Sequence, residues 1–259
     1  MASTEQMRVD LADGVLTLTF NRPEVLNALS GPMAITLAEQ LERAHADDAV
    51  RMVVLTGSGG SFSAGADISG EEAIENFDVR ALDAANRMVR AVVGCSKPVL
   101  AAVDGVAAGV GCSIALAADV IVASESALFL LAFSRIGLMT DGGTSATVAA
   151  AIGRPRAMRM ALLAEPLTGH EAYDAGLVTH VATPEDFPGI VSTLTRRLAS
   201  GPPLAYAAAK KAINAATLDQ LEQALERERT GQTILLRTSD AAEGMRAFGE
   251  KRKPEFRGR

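Results

Sequence analysis

Cysteine is scarce in this chain of 259 residues: only Cys95 and Cys112 occur, both in apolar or glycine-rich surroundings. A core of this size needs no disulfide or metal staple, and two such thiols suit a reducing, cytoplasmic setting. Histidine is as sparse. His45, His170 and His180 lie far apart, and none has a carboxylate or cysteine partner at metal-ligand spacing, so each reads as a helix-surface or cap position and no metal is expected. No run of about 18 uncharged apolar residues occurs, because Asp104, Asp119 and Arg135 interrupt the longest candidates, and a membrane-spanning helix is not expected. The opening MASTEQMRVD lacks a basic segment followed by an apolar one, so no signal peptide is read. An excess of positive charge is also missing. The net charge of −6 argues against nucleic acid as a general partner, while the basic C-terminal tail leaves room for a local phosphate site. Residues 105–111 are rich in glycine but lack the G-x-G-x-x-G spacing and sit mid-chain, which disfavours a nicotinamide enzyme.

What is present is apolar and periodic. The chain is 48% hydrophobic and 22% charged, which fits one large domain or one with an appended piece. Residues 8–12 and 15–20 flank an Asp13-Gly14 turn, and Leu16, Leu18 and Phe20 alternate with threonines as in a half-buried strand. A helix is expected from near Ser30, with Pro32 in its first turn and Leu37, Leu41 and Ala44 on one face. Residues 52–55 read as a strand entering the glycine-rich stretch 57–65. A charged helical segment is expected over about residues 71–93. A second apolar strand, 98–103, enters the glycines of 105–111 and then an alanine-rich helix. Residues 120–123 and 127–131 read as short strands before the Gly142-Gly143 turn. This alternation implies an α/β fold of stacked β-β-α units. Thr168 and Glu171 form a T-x-x-E capping box, Gly176 is a helix stop, and the chain reads as helical only from about residue 185. Leu218, Leu221, Leu225 and Glu228 fall near one face of a late helix. An α/β core over residues 1–195 and a helical part over 196–259 are expected.

The sharpest chemical signal is a pair of loops, Phe62-Ser63-Ala64-Gly65-Ala66-Asp67-Ile68 and Asp104-Gly105-Val106-Ala107-Ala108-Gly109-Val110-Gly111-Cys112. Each follows an apolar strand and precedes an expected helix. Glycines allow close approach of a ligand, and free amides at a helix start favour developing negative charge. Two such loops can aim two N–H groups at one oxygen, although glycines after strands are commonly just turns. Cys112 has no histidine placed by motif to activate it and reads as a packed small side chain.

Over nearly its whole length the sequence resembles the enoyl-CoA hydratase/isomerase (crotonase) family. The likeness runs through Asn21-Arg22-Pro23, Asn27-Ala28, the F-x-A-G-A-D-I stretch from Phe62 to Ile68, and Lys97-Pro98 through Gly111. It continues in Asp119-Val120-Ile121, Ile136-Gly137-Leu138, Gly142-Gly143-Thr144, Ala175-Gly176-Leu177-Val178, Glu243-Gly244-Met245, Ala247-Phe248 and Glu250-Lys251-Arg252. The resemblance implies a crotonase-like spiral and an acyl-CoA substrate, with coenzyme A part of the substrate and no separate cofactor. It also implies a homotrimer or a dimer of trimers whose helical C-terminal part serves trimerisation and CoA capping. By the same resemblance, the amides of Ala66 and Val110 form an oxyanion hole for the thioester. Ala64, Asp67, Ile68 and Gly109 belong to its loops, Asp67 mainly as a loop-holding residue. Val25 and Leu26 match a CoA-contacting segment, with Glu24 where the family often has lysine. Phe248 and Lys251 match tail positions that reach the CoA of an adjacent subunit; a solvated charge run is the other reading of Lys251, Arg252 and Lys253.

One departure decides the reaction. The resemblance implies two glutamates around a water for hydration of a 2-enoyl thioester. Here those positions are Ser113 and Phe133, neither of which can hold a proton in the way required. Asp141, in Ile136-Gly137-Leu138-Met139-Thr140-Asp141-Gly142-Gly143-Thr144, stands in the turn where isomerase and dehalogenase members carry an aspartate. A carboxylate beside an apolar wall of Leu128, Leu130, Leu131 and Phe133 would have a raised pKa suited to shuttling one proton. The alternative is an N-cap for the helix beginning near Gly142. The expected activity is therefore an enoyl-CoA isomerase. A non-standard hydratase or thioester hydrolase using Asp141 and Ser113, and a non-catalytic acyl-CoA-binding protein, are the alternatives. Glu71, Glu72 and Glu75 follow the first loop and are further acidic candidates near the pocket.

Overall fold

The alternation read at residues 15–20 is realised in a computed structural model that describes residues 6–68 and 78–259. Strand β2 (Val15–Phe20) buries Leu16, Leu18 and Phe20, while Thr17 and Thr19 stay partly exposed. Strand β1 (Met7–Ala12) returns antiparallel to it through Asp13 and Gly14, both at positive φ, as a tight two-residue hairpin requires. Then come β3 (Met52–Gly57), β4 (Val99–Val103), β6 (Val120–Ser124) and β9 (His180–Ala182). They join in parallel to give a six-stranded sheet of order β1-β2-β3-β4-β6-β9. Every residue of β4 is buried, the continuous apolar run of a strand covered on both faces.

A second sheet, of β5 (Val106–Ala108), β7 (Leu128–Leu130) and β8 (Leu167–Thr168), lies in the order β5-β7-β8. Residues 105–111, read from sequence as a glycine turn, thus contain a strand. Three residues between Gly105 and Gly109 are too few to show a period. β4, β5 and the short helix α3 (Val110–Leu116) form one β-β-α unit, and β6 and β7 begin the next. The α/β architecture of β-β-α units expected from the sequence is thus present.

Helix α1 (Gly31–Ala46) is capped by the Ser30 hydroxyl, which accepts from the Met33 amide, and buries Leu37, Leu41 and Ala44. Helix α2 (Val79–Gly94) packs beside it; Glu71, Glu72 and Glu75 lie outside the described residues. Helix α4 (Thr144–Leu163) breaks at Gly153 ahead of Pro155, and α5 (Gly169–Asp174) carries the expected Thr168–Glu171 capping box. Helices α6 (Phe187–Ser200), α7 (Pro203–Thr217), α8 (Leu221–Leu235) and α9 (Ser239–Gly249) complete the chain. The boundary expected near residue 195 falls inside α6, whose Leu194 and Leu198 pack on the β3–β4–β6 face of the large sheet. Helix α8 lies against α2 and α4, and α9 lies against a 3-10 turn at Ala132–Ile136. Among the described residues no helix is long and apolar enough to cross a membrane, and no cluster of His, Cys, Asp and Glu could hold a metal.

Candidate active site

The two glycine loops meet. Ser63 donates its amide to Val106 O, and Ala108 donates to Ser63 O, each at 2.9 Å, so the first motif runs along β5. Gly65 has φ +96°, and a Cβ there would stand 2.7 Å from Ala108 O. Gly109 has φ +50° and faces Gly65 Cα across 3.9 Å from where its own Cβ would be. Space excludes a side chain at Gly65, and at Gly109 it is the positive φ that favours glycine. Ala66 and Val110 follow these glycines directly. Ala66 bridges Leu29 in parallel fashion through the Gly65 carbonyl and the Asp67 amide, which turns its own N–H to the opposite side. Val110 opens α3, where helix geometry leaves N–H groups without intrahelical acceptors. Among the described hydrogen bonds, neither of these two amides has an acceptor. Replacing Gly65 by Ala is expected to cost about 2 kcal/mol or more of stability, through the carbonyl clash and the positive φ together. Urea titration reads that loss.

A polar clamp holds the first loop. Buried Asn27 donates from Nδ2 to Ser58 O at 2.8 Å and Ser61 O at 2.7 Å, and accepts from the Arg22 amide at 2.8 Å. Arg22 Nη1 in turn donates to Ala28 O and to Asp67 Oδ2, both at 2.8 Å. Asp67 thus ties Arg22 to the loop that carries Ala66. Between the clamp residues, Leu26 adopts φ 52° and accepts the Ala64 amide at 2.9 Å, which brings Val25 and Leu26 beside the same loop. Leu26 leaves half its surface exposed there, as a ligand-facing side chain would.

Asp141 stands behind the second loop. Ser113, one turn along α3 from Val110, donates its hydroxyl to Asp141 O at 3.0 Å, with Gly109 O next nearest at 3.3 Å. A Cβ on Gly142 would fall 2.7 Å from Ser113 Cβ, and one on Gly143 would fall 2.6 Å from Leu221 Cδ1, so the turn is wedged between α3 and α8. The Asp141 side chain is 5% exposed. Its Oδ2 accepts from Gln232 Nε2 at 3.0 Å, while Oδ1 is buried with no hydrogen-bond partner. Burial pushes this carboxyl up to about 7; the Gln232 hydrogen bond opposes the rise and the Glu228 charge adds to it. Asp141 does not cap the following helix. Glu228, reaching across from α8, accepts the amides of Gly143 at 2.6 Å and Ser145 at 2.9 Å. Burial raises its pKa as well, against the pull of those amides.

Glu228 and Gln232 enter the site from a helix outside the recognised motifs. Glu228 was legible as a carboxylate on the face of Leu221 and Leu225; Gln232, one turn further on, continues that face and is fully buried. Two polar residues prolonging an apolar stripe are the signal that locates them. Of the apolar wall, Phe133 and Leu131 are buried, Leu128 and Leu130 are partly exposed, and Leu130 O accepts the Gly109 amide at 2.9 Å. Ile68 is the last described residue of the first loop. Phe248, 61% exposed at the end of α9, and Lys251 are not brought to these groups within one chain. Arg252 is exposed yet paired: it grips Glu243 at 2.5 and 2.9 Å and holds that carboxylate down to about 2. Cys112 is buried, and burial pushes its thiol up to about 12, far from a nucleophile's range.

Comparison with known proteins places this geometry. The family model described as enoyl-CoA hydratase/isomerase matches residues 10–259. A probable enoyl-CoA hydratase of Rhodobacter capsulatus is 40% identical, over 99% of this chain and 100% of its own length. The 1,2-epoxyphenylacetyl-CoA isomerase of Escherichia coli is 38% identical, over 95% of this chain and 96% of its own. Among solved structures, an enoyl-CoA hydratase from Mycobacterium avium subsp. paratuberculosis superposes with a TM-score of 0.91 at 48% identity, covering 98% of this chain and 99% of that one.

Proposed function

Because the chain belongs to the enoyl-CoA hydratase/isomerase family of acyl-CoA enzymes, we propose that it is an enoyl-CoA isomerase working through a single carboxylate. The observation that carries this reading is the buried Asp141 carboxyl, with one oxygen unpartnered, standing where neither usual glutamate is present. In the forward step, Asp141 takes a proton from C2 of a 3-enoyl thioester. The C–H pair enters the C1–C2 bond and the carbonyl becomes an enolate oxygen, held by the Ala66 and Val110 amides. The protonated carboxyl then delivers the proton to C4. The oxygen lone pair re-forms the carbonyl, the C1–C2 π pair moves to C2–C3, and the C3–C4 pair takes the proton. A carboxyl whose pKa lies near the working pH can do both halves. A hydratase needs a second group to hold and activate water, and Ser113 directs its hydroxyl hydrogen to main-chain carbonyls instead. In the same reading Val25 and Leu26 border the CoA, Phe248 and Lys251 cap the CoA of a neighbouring copy, and the assembly is a trimer or a dimer of trimers in the cytoplasm.

A panel of 2-enoyl and 3-enoyl thioesters, run in D₂O and separately in H₂¹⁸O with mass-spectrometric detection, tests the assignment. Isomerisation leaves the product free of ¹⁸O and allows deuterium to enter at C2 or C4. Incorporation of ¹⁸O would replace it with hydration or hydrolysis. Tight acyl-CoA binding without turnover across the panel would make the protein a binder.

A further inference from the structure

Helix α8 makes an unusual set of contacts for a surface helix. Leu221, Ala224 and Leu225 bury its apolar face, yet the same face continues into Glu228 and Gln232, 1% and 0% exposed. Gln232 spends both amide hydrogens and one oxygen lone pair on one turn. Its Oε1 accepts the Met139 amide at 3.0 Å, and its Nε2 donates to Met139 O at 2.8 Å and to Asp141 Oδ2 at 3.0 Å. Glu228 spends both oxygens on the amides that start α4. Burying an amide and a carboxylate so completely is costly unless each is fully bonded. Apolar side chains at both positions would hold α8 to the core at no such cost.

We infer that Gln232 and Glu228 are positioning residues for the Asp141 carboxyl. Gln232 holds one carboxylate oxygen and the backbone before it, and Glu228 occupies the helix amides that would otherwise draw the aspartate onto α4. The inference rests on the proton-shuttle reading of Asp141. Aspartate is a favoured helix cap, and its side chain stands at the mouth of a helix whose first amides attract carboxylates. With Glu228 on those amides, Asp141 Oδ1 is left unspoken for. With Gln232 on Oδ2, the carboxyl has one orientation. The two residues also act on its proton affinity in opposite directions: the Gln232 donor favours the carboxylate and the Glu228 charge disfavours it. Among the described residues, other charges near this turn are engaged elsewhere. Asp83 and Arg90 of α2 pair with Arg229 and Glu222 of α8 on the exposed side, and Arg227 acts on Glu228. From α3 and α4 the described side chains that bond this turn are the uncharged hydroxyls of Ser113, Thr144 and Thr147.

The test uses the full-length protein and two substitutions with opposite expected signs. Gln232→Met removes the donor at similar volume and should move the acid limb of the kcat profile up, by about one pH unit, a tenfold change in proton affinity. Glu228→Gln keeps one of the two oxygens that accept the helix amides, removes the charge, and should move the limb down. KM should change little in either. A purely structural role predicts a lower kcat at every pH with the limb unmoved, and that result overturns the inference. Titration of the Asp141 carboxyl by ¹³C NMR, its signal identified by loss in Asp141→Asn, separates this proposal from the shuttle reading. If the carboxyl shifts in both variants while no isomerase activity exists in the wild type, the coupling stands and the shuttle fails. If the carboxyl does not shift, the coupling fails whatever the turnover. Should Gln232→Met fold poorly, Glu228→Gln alone decides: a limb moved down supports the coupling and an unmoved limb overturns it.

Discussion

Asp141→Asn is expected to lower isomerase turnover by about a thousandfold or more while making the protein more stable at alkaline pH. The first half follows from general acid–base catalysis, where removing the proton-carrying group typically costs 10²–10⁴-fold, roughly. With a single carboxyl performing both transfers, no second group remains to compensate. Acyl-CoA affinity should be nearly intact, since the proposed reading gives the thioester oxygen and the CoA to residues other than Asp141. The second half follows from linkage. Burial raises the Asp141 pKa from 3.8 to about 7, so between roughly pH 4 and pH 7 the native state binds more protons than the unfolded chain. Wild-type stability therefore falls as pH climbs through that window and reaches its lower level above it; below about pH 4 both states are protonated and the difference disappears. Asparagine has no such term. Above pH 7 the variant should gain up to a few kcal/mol relative to wild type, an order-of-magnitude figure from the shift. Glu228 slopes in the same direction in both proteins, so the difference between their pH–Tm curves reports Asp141 together with its coupling to Glu228. Parallel curves would contradict the buried, uncompensated carboxyl, and unchanged turnover would remove Asp141 from the chemistry. A gain in stability with loss of activity is the exchange expected of a group kept at a cost for function.

How far the sequence reveals this site depends on what kind of interaction each part uses. The hairpin, the β3 and β4 strands and α1 are legible because their side chains alternate or recur with the period of the element. The two glycine loops are legible because only glycine permits their backbone. Strand β5 is hidden inside such a loop, since Val106, Ala107 and Ala108 pair with Ser63 and β7 through the main chain and leave no pattern of their own. The Asp141 turn could be found by its motif, but its two possible roles, cap and proton carrier, look alike in sequence. What removes the cap is Glu228, 87 residues further along, on a helix packed across the turn. Contacts of that separation leave no periodic trace. Only two buried polar residues prolonging an apolar face point to them, and a reader can see that face without seeing what it meets. Likewise, Arg252 reads as one of a run of charges until its fork onto Glu243 is seen.

Val110→Pro should lower kcat by about 10²–10³-fold, or about 3–4 kcal/mol in transition-state stabilisation, with little change in fold. The substitution removes the amide hydrogen, sets the ring Cδ in its place and exchanges the isopropyl group for the ring. Val110 is the first residue of α3, where its N–H has no helical partner and proline's fixed φ is well suited. Proline disfavours helical geometry in the residue before it, but that residue is Gly109, at φ 50° and ψ −132°. The ring is no larger than the valine it replaces in a buried position. If the enolate oxygen rests on the Val110 amide, exchange of the C2 hydrogen with solvent deuterium must fall in step with turnover, because both pass through the same enolate. Val110→Ala gives the comparison, since it keeps the amide and removes only packing; its effect should appear mainly as lost stability, on the order of 1 kcal/mol or more. Equal turnover in the two variants would mean that the amide carries no charge in the reaction. A fall in turnover without a fall in C2 exchange would move the role of this amide to the reprotonation at C4. A fall in both, with Asp141 intact, would assign the two halves of the chemistry to different elements: the charge to the loops that Gly65 and Gly109 press together, and the proton to the turn that α8 holds.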